Sequence, residues 1–298
     1  MNNNRALGPE RPNQQMLLQD GRRLGFAEYG DPAGKPILYF HGWPSSRLEA
    51  RAIQGIITEM GLRIIAPDRP GYGLSDFKPG RAIGDWAEDV AALADHLGLM
   101  RFAVLGVSGG GPYAAACGAG LAQRLTSVLL VCSMGPTDTP EATLGMVPVN
   151  RWLLAFARNA PWLAQRAAGF CLRTLWGTGD QVIPEQIESC LPESDQKTLS
   201  DPELRRLLTE SSREGLRPGV DGAAWDGFLF SRPWRFDLQR IQTPVHLWHG
   251  EKDVVVPASM GHFLANNISG CVARFYPEDG HFSLPFGRMR EVLCAAIA

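Results

Sequence analysis

The sequence has no C-x-x-C pair. Its six cysteines, Cys117, Cys132, Cys171, Cys190, Cys271 and Cys294, are scattered. That removes the usual spacing of a zinc site or a dithiol. A chain of this size does not need a disulfide framework, so the cysteines are expected as buried apolar residues. No apolar run is long enough to span a bilayer, and no block of like charge occurs. The formal net charge is −2, with 20% of residues charged. Neither nucleic acid nor an anionic membrane surface is expected as the main partner. The start, MNNNRALGPERPNQQ, is polar and lacks the apolar stretch of a signal peptide. Cys294 stands one place too far from the end for a prenylation box. A cytoplasmic protein acting on a small molecule is the expectation.

What is present is apolar sequence in short pieces. Hydrophobic residues make up 45% of 298 residues, which suits a large α/β domain with an insertion. Residues 1–15 read as a flexible arm. Met16 to Gln19, then Asp20-Gly21, then Arg22 to Tyr29 read as a hairpin, because Asp-Gly between extended segments favours a tight turn. Continuous apolar runs follow at Ile37–Phe40, Arg63–Ala66, Phe102–Val107, Val128–Cys132 and Val245–Trp248, with Phe275 and Tyr276 closing a last strand. Such runs fit parallel strands covered on both faces. Helical patterns lie between them, at Leu48–Met60, Asp85–Leu97, Pro112–Leu121, Pro257–Asn267 and Arg288–Ile297. The alternation predicts a mostly parallel sheet flanked by helices. Between Gly135 and Pro233 no strand is legible, and the stretch is rich in tryptophan. It reads as a helical cap, residues 135–234, inserted into a core of residues 16–134 and 235–298.

The most informative local stretch is Gly106-Val107-Ser108-Gly109-Gly110-Gly111-Pro112. A phosphate-cradling loop would need Lys and then Ser or Thr after its last glycine, and Pro112-Tyr113 stand there instead. The dinucleotide fingerprint fails at its third position, which is Ser108. The stretch does match G-x-S-x-G between strand and helix. A sharp strand-to-helix turn lifts the serine hydroxyl clear of the sheet, and small neighbours are needed because larger ones would clash. The same turn aims the Gly109 amide, at a helix start, toward developing negative charge.

Here the chain resembles the α/β-hydrolase superfamily. The matching stretches are His41-Gly42-Trp43-Pro44, Asp68-Arg69-Pro70-Gly71-Tyr72-Gly73-Leu74-Ser75, the serine loop, His249-Gly250-Glu251-Lys252-Asp253 with Val256-Pro257, and Gly280-His281. The resemblance implies the α/β-hydrolase fold, and it implies a nucleophile, acid and base in that chain order. Ser108 would be the nucleophile, His281 the base and Asp253 the acid; Glu251 and Asp138 remain competitors for the acid. The backbone amides of Trp43 and Gly109 would form the oxyanion hole. His41 opens the oxyanion loop, His96 is expected to face solvent from a helix, His246 and His249 to be structural in or beside a strand, His262 to lie on a helix, and Asp68 to tie its own loop together. A serine at the turn excludes relatives that use an aspartate nucleophile. The implied reaction is hydrolysis of a small to medium apolar ester through an acyl-enzyme, with no cofactor. Carbon–carbon bond hydrolases, lactonases, prolyl aminopeptidases, hydroxynitrile-lyase-like enzymes and ligand sensors would share much of this constellation. An aminopeptidase would need acids such as Glu185, Glu188 or Glu193 to hold a substrate amine.

Overall fold

A computed structural model of the chain describes residues 10–137, 140–159 and 188–297. Asp138, Cys171, Glu185, Trp162 and Trp176 lie outside the described residues. Eight strands form one sheet: β1 (Arg11–Leu17), β2 (Arg23–Gly30), β3 (Lys35–Phe40), β4 (Leu62–Pro67), β5 (Phe102–Val107), β6 (Leu125–Val131), β7 (Val245–Gly250) and β8 (Val272–Tyr276). Their spatial order is β1-β2-β4-β3-β5-β6-β7-β8. β2 runs antiparallel to both β1 and β4, and every pairing from β4 to β8 is parallel.

Among the described residues the α-helices are α1 (Gln54–Glu59), α2 (Trp86–His96), α3 (Gly111–Gly120), α4 (Pro148–Asn159), α5 (Glu193–Leu199), α6 (Pro202–Gly215), α7 (Asp221–Phe230), α8 (Ala258–Asn267) and α9 (Ser283–Ile297). All six residues of β5 are buried. One face of the sheet packs Leu38, Phe40 and Val104 against Val90, Leu93, Ala114 and Leu264 of α2, α3 and α8. The other packs Ile37, Tyr39 and Leu105 against Ile57, Met289 and Val292 of α1 and α9. Burial on both faces is why these strands read as continuous apolar runs rather than alternating ones. The four helices α4 to α7 lie between β6 and β7, and no strand occurs among the described residues of that stretch.

Several boundaries differ from the sequence reading. Residues 11–15 are not part of an arm: they belong to β1, paired with β2. β1 is an edge strand without a fully buried face, and its polar side chains find partners, as Gln14 does with Glu28 at 2.8 Å. A polar edge strand leaves no apolar alternation to read. Helix α9 begins at Ser283, five residues before Arg288. Pro285 falls in its first turn, where a missing N–H costs nothing. The 48–60 segment is a 3-10 turn, Arg47–Ile53, followed by the short α1.

β3 has β4 on one side and β5 on the other. The sense in which successive strands are added therefore reverses at β3, between β4 and β5. A crevice opens at such a point, at the carboxyl ends of the strands. Residues 41–44 leave β3 there, and residues 108–111 leave β5 beside them.

Candidate active site

Ser108 follows β5 with φ +54°, one of few residues other than glycine in the left-handed region. That backbone conformation costs roughly 1–3 kcal/mol and persists only when the surroundings hold it. They do: the Ser108 carbonyl accepts from the Gly111 N–H and from the Met134 N–H at 3.2 Å. The glycines answer to close approach. A Cβ on Gly110 would stand 2.1 Å from the Phe40 carbonyl oxygen, and one on Gly109 would stand 2.7 Å from Trp43 Cβ. The loop after β5 is thus pressed against the loop after β3, with Ser108 half-buried between them.

His281 lies in the loop between β8 and α9, and Asp253 in the loop after β7. His281 Nε2 is 3.0 Å from Ser108 Oγ, and His281 Nδ1 is 2.7 Å from Asp253 Oδ2. Asp253 Oδ1 accepts from the Val255 and Val256 amides at 2.9 and 2.8 Å. A carboxylate facing Nδ1 fixes the proton there and leaves Nε2 free to accept from the serine hydroxyl. Burial works against a charged His281, but the Asp253 charge outweighs it and holds the imidazole pKa above the ordinary value of 6.5. The structure thus brings Ser108, Asp253 and His281 together from three separate loops.

The other candidates fall elsewhere. Glu251 is exposed and pairs with His262 at 3.1 Å, so it does not face His281. His262 stacks on Phe275. His249 is buried beside Asp253, and its Nε2–H donates to the Val256 carbonyl at 2.8 Å. Burial pushes its pKa down, so it is a neutral structural group. His96 is exposed, as read from the sequence. Asp68 does hold its loop: it accepts from the Arg47 and Leu74 amides at 2.7 and 2.8 Å. Of the cysteines, Cys117 and Cys132 are buried, whereas Cys190 and Cys294 are exposed, contrary to the expectation for all six.

The loop after β3 is held by charged groups that the sequence did not single out. Arg69 Nη1 donates to the His41 carbonyl, and Nη2 donates to the Gly42 carbonyl at 2.9 Å. His41 Nδ1–H reaches the same Gly42 oxygen at 2.9 Å, and burial pushes the His41 pKa well below its ordinary value. In a trans peptide the carbonyl and the following N–H point in opposite directions. With the Gly42 oxygen held by Arg69, the Trp43 N–H points the opposite way within the peptide plane. The Gly42 N–H is taken by both oxygens of buried Glu49, each at 3.0 Å. The indole of Trp43 donates to the Ala223 carbonyl of α7 at 2.8 Å.

Arg69 is itself balanced from the helices between β6 and β7. Its Nε donates to Asp226 of α7 at 2.9 Å, and Asp226 also accepts from Tyr72 at 2.8 Å and from Tyr113 and Arg81. Burial pushes the Asp226 carboxyl up, but the Arg81 and Arg69 charges prevail and hold it down at about 2. Asp226→Ala would leave two buried guanidiniums uncompensated. The expected loss is about 3–5 kcal/mol of stability, read as a lower urea midpoint.

Among the described residues, Cys132, Asp253 and His281 form the one group that offers three metal-type ligand atoms within 4.8 Å of one another. A metal there would have to break the bond between Asp253 and His281. Burial also pushes the Cys132 thiol pKa well up, which disfavours the thiolate a metal needs.

An eight-stranded sheet of this order, with Ser108 on a strained turn after β5, is the arrangement of an α/β hydrolase, and the chain belongs to that family: residues 35–287 match the alpha/beta hydrolase fold. Over 286 residues it is 28% identical to the uncharacterized hydrolase YcgS of Bacillus subtilis (strain 168), covering 90% of this chain and 91% of that one. Over 249 residues it is 34% identical to the bifunctional esterase/perhydrolase DCH of Acinetobacter calcoaceticus, covering 81% and 83%. The solved esterase EaEST from Exiguobacterium antarcticum superposes with a TM-score of 0.69 at 20% identity, covering 95% of this chain and 98% of that one. No helix among the described residues is long and apolar enough to cross a membrane.

Proposed function

We propose that the protein is a serine esterase. Ser108 attacks the ester carbonyl while His281 Nε2 takes its proton, and Asp253 keeps the imidazole in the required tautomer. The oxygen of the tetrahedral intermediate is held by the Trp43 and Gly109 amides. His281 then protonates the leaving alcohol. In the second half it activates a water that releases the acid. The observation that carries this reading is the relay from Ser108 Oγ to His281 at 3.0 Å and on to Asp253 at 2.7 Å. The match to an esterase/perhydrolase supports the ester as the bond cleaved.

The cap assignment, residues 135–234, joins the same proposal. Phe230 of α7 reaches within 3.3 Å of where a Gly109 Cβ would stand, and it meets Trp43 edge to face at 6.3 Å. Two aromatic rings beside the nucleophile favour a small to medium apolar acyl group. The aminopeptidase alternative is less well supplied with free acids. Glu188 is paired with Arg205 at 2.5 Å, and Glu193 is exposed on α5.

The test is a panel of p-nitrophenyl esters together with a fluorophosphonate probe. Turnover of short acyl chains and labelling at Ser108 are expected. A folded protein that neither turns over nor labels removes the activated serine. The pH dependence follows from His281. Only the neutral imidazole accepts the serine proton, so kcat/KM should fall on acidification. The midpoint should lie above 6.5, because Asp253 favours the protonated form. A flat profile from about pH 5 to 8 would exclude His281 as the base.

A further inference from the structure

The loop that carries His281 is gripped by a carboxylate from outside the sheet. Asp195 lies on α5, within the stretch between β6 and β7, and is fully buried. Its Oδ2 accepts from the His281 N–H at 2.8 Å. Its Oδ1 accepts from the Phe282 and Ser283 N–H groups at 2.9 and 2.8 Å. Three consecutive amides, two just ahead of α9 and one at its first residue, therefore converge on one side chain. Such amides have no partner within their own helix, so an external acceptor is what they require.

Two further observations agree. A Cβ on Gly280 would stand 2.4 Å from Asp195 Oδ2, so the glycine before the histidine makes room for this carboxylate. Around it, Leu191, Leu199 and Leu208 pack with Val254, Val255, Phe282 and Phe286. The surroundings of α5 thus rest on the loops of both Asp253 and His281.

We propose that Asp195 is a positioning residue for His281: its carboxylate fixes the main chain of residues 281–283 and sets a second negative charge behind the imidazole that Asp253 already holds. This rests on the reading of Ser108, Asp253 and His281 given above. Asp195 touches neither the serine nor a substrate, and acts only through the histidine loop. The other groups around the imidazole are Asp253 and Ser108 by direct bonds, Cys132 close by, His249 as a neutral ring beside Asp253, and Glu49 through its charge. Asp279 on the same loop is engaged by Arg288 at 2.5 Å.

The test is Asp195→Asn in the full chain. Asparagine has one acceptor oxygen. If that oxygen serves Phe282 and Ser283, the NH2 faces the His281 N–H, and the loop at the imidazole shifts. With p-nitrophenyl acetate, kcat is expected to fall about 10–100-fold, as for a small misplacement of a reacting group, with KM little changed. Thermal unfolding should remain cooperative. The His281 imidazole, followed by NMR of histidine-labelled protein, should titrate at lower pH than in the wild type. Gly280→Ala displaces the carboxylate from the other side and should reproduce both effects.

A folded Asp195→Asn protein with wild-type kcat overturns the proposal. A fall in kcat with an unshifted titration also overturns it, since that outcome marks a mere prop. Should Asp195→Asn not fold, the same outcomes in Gly280→Ala decide. The NMR titration needs no turnover. If Ser108→Ala kept wild-type turnover, the esterase reading would fail, and the imidazole shift would still report on Asp195.

Discussion

Ser108→Ala is expected to lower kcat on a p-nitrophenyl ester by a factor on the order of 10⁶, the scale seen when a serine nucleophile is removed from such a relay. The relay depends on one atom, Ser108 Oγ, which stands 3.0 Å from the base. Without it no acyl-enzyme can form, and the imidazole has only water to activate. Residual turnover would come from the main-chain amides and from substrate binding, which alone give roughly 10³–10⁴ over water. The fold should be unaffected. The carbonyl of residue 108 keeps its bonds from Gly111 and Met134, and alanine meets the same left-handed backbone as serine did. The check is kcat beside a thermal unfolding curve. A folded variant with near wild-type turnover would show that the chemistry runs through another group.

Asp253→Asn is expected to cost about 10⁴ in kcat, and the structure gives the reason in detail. Asp253 Oδ1 is held by the Val255 and Val256 amides. An asparagine has to keep its oxygen on those two donors, so its NH2 takes the place of Oδ2, facing His281 Nδ1. Two donors cannot face each other, so Nδ1 gives up its proton and Nε2 gains one. The imidazole then donates toward Ser108 instead of accepting from it. The same substitution removes the charge that raises the His281 pKa, so the acid limb of any residual rate should move to lower pH. The measurement is kcat/KM against pH for both proteins. An acid limb unchanged in position, at near wild-type rate, would place the functional acid elsewhere.

How much of this could be read from the sequence depended on how local each signal was. The Ser108 turn is legible because the small residues it needs are consecutive in the chain, although the collisions avoided at Gly109 and Gly110 are with Trp43 and Phe40 on the neighbouring strand and its loop. Asp253 and His281 are legible from their order and from the strands they follow, although nothing in their spacing gives their separation in space. Glu49 was hidden inside a segment that reads as an ordinary amphipathic stretch, and only the fold places it under the Gly42 amide. Arg69 was visible within its motif, but its partner Asp226 comes from a helix 157 residues later, where no local pattern singles it out. Asp195 was hidden for the same reason: α5 is short and polar, and the burial of one carboxylate on it follows from how α5 packs against α9. The hairpin around Asp20-Gly21 was legible, but the first five residues of β1, 11–15, escaped because an edge strand with polar partners has no apolar face to betray it.

The cluster of Arg69, Arg81 and Asp226 bears on any attempt to graft helices α4 to α7 from a relative onto this sheet. Its cations reside on the recipient scaffold and its anion on the transplanted piece. A donor segment with a neutral residue at position 226 would bring unmatched positive charge into the interior and loosen the peptide that presents the Trp43 amide. Such a hybrid would lose solubility and turnover together, even with every residue of the serine relay intact, unless positions 69, 81 and 226 were exchanged as one unit.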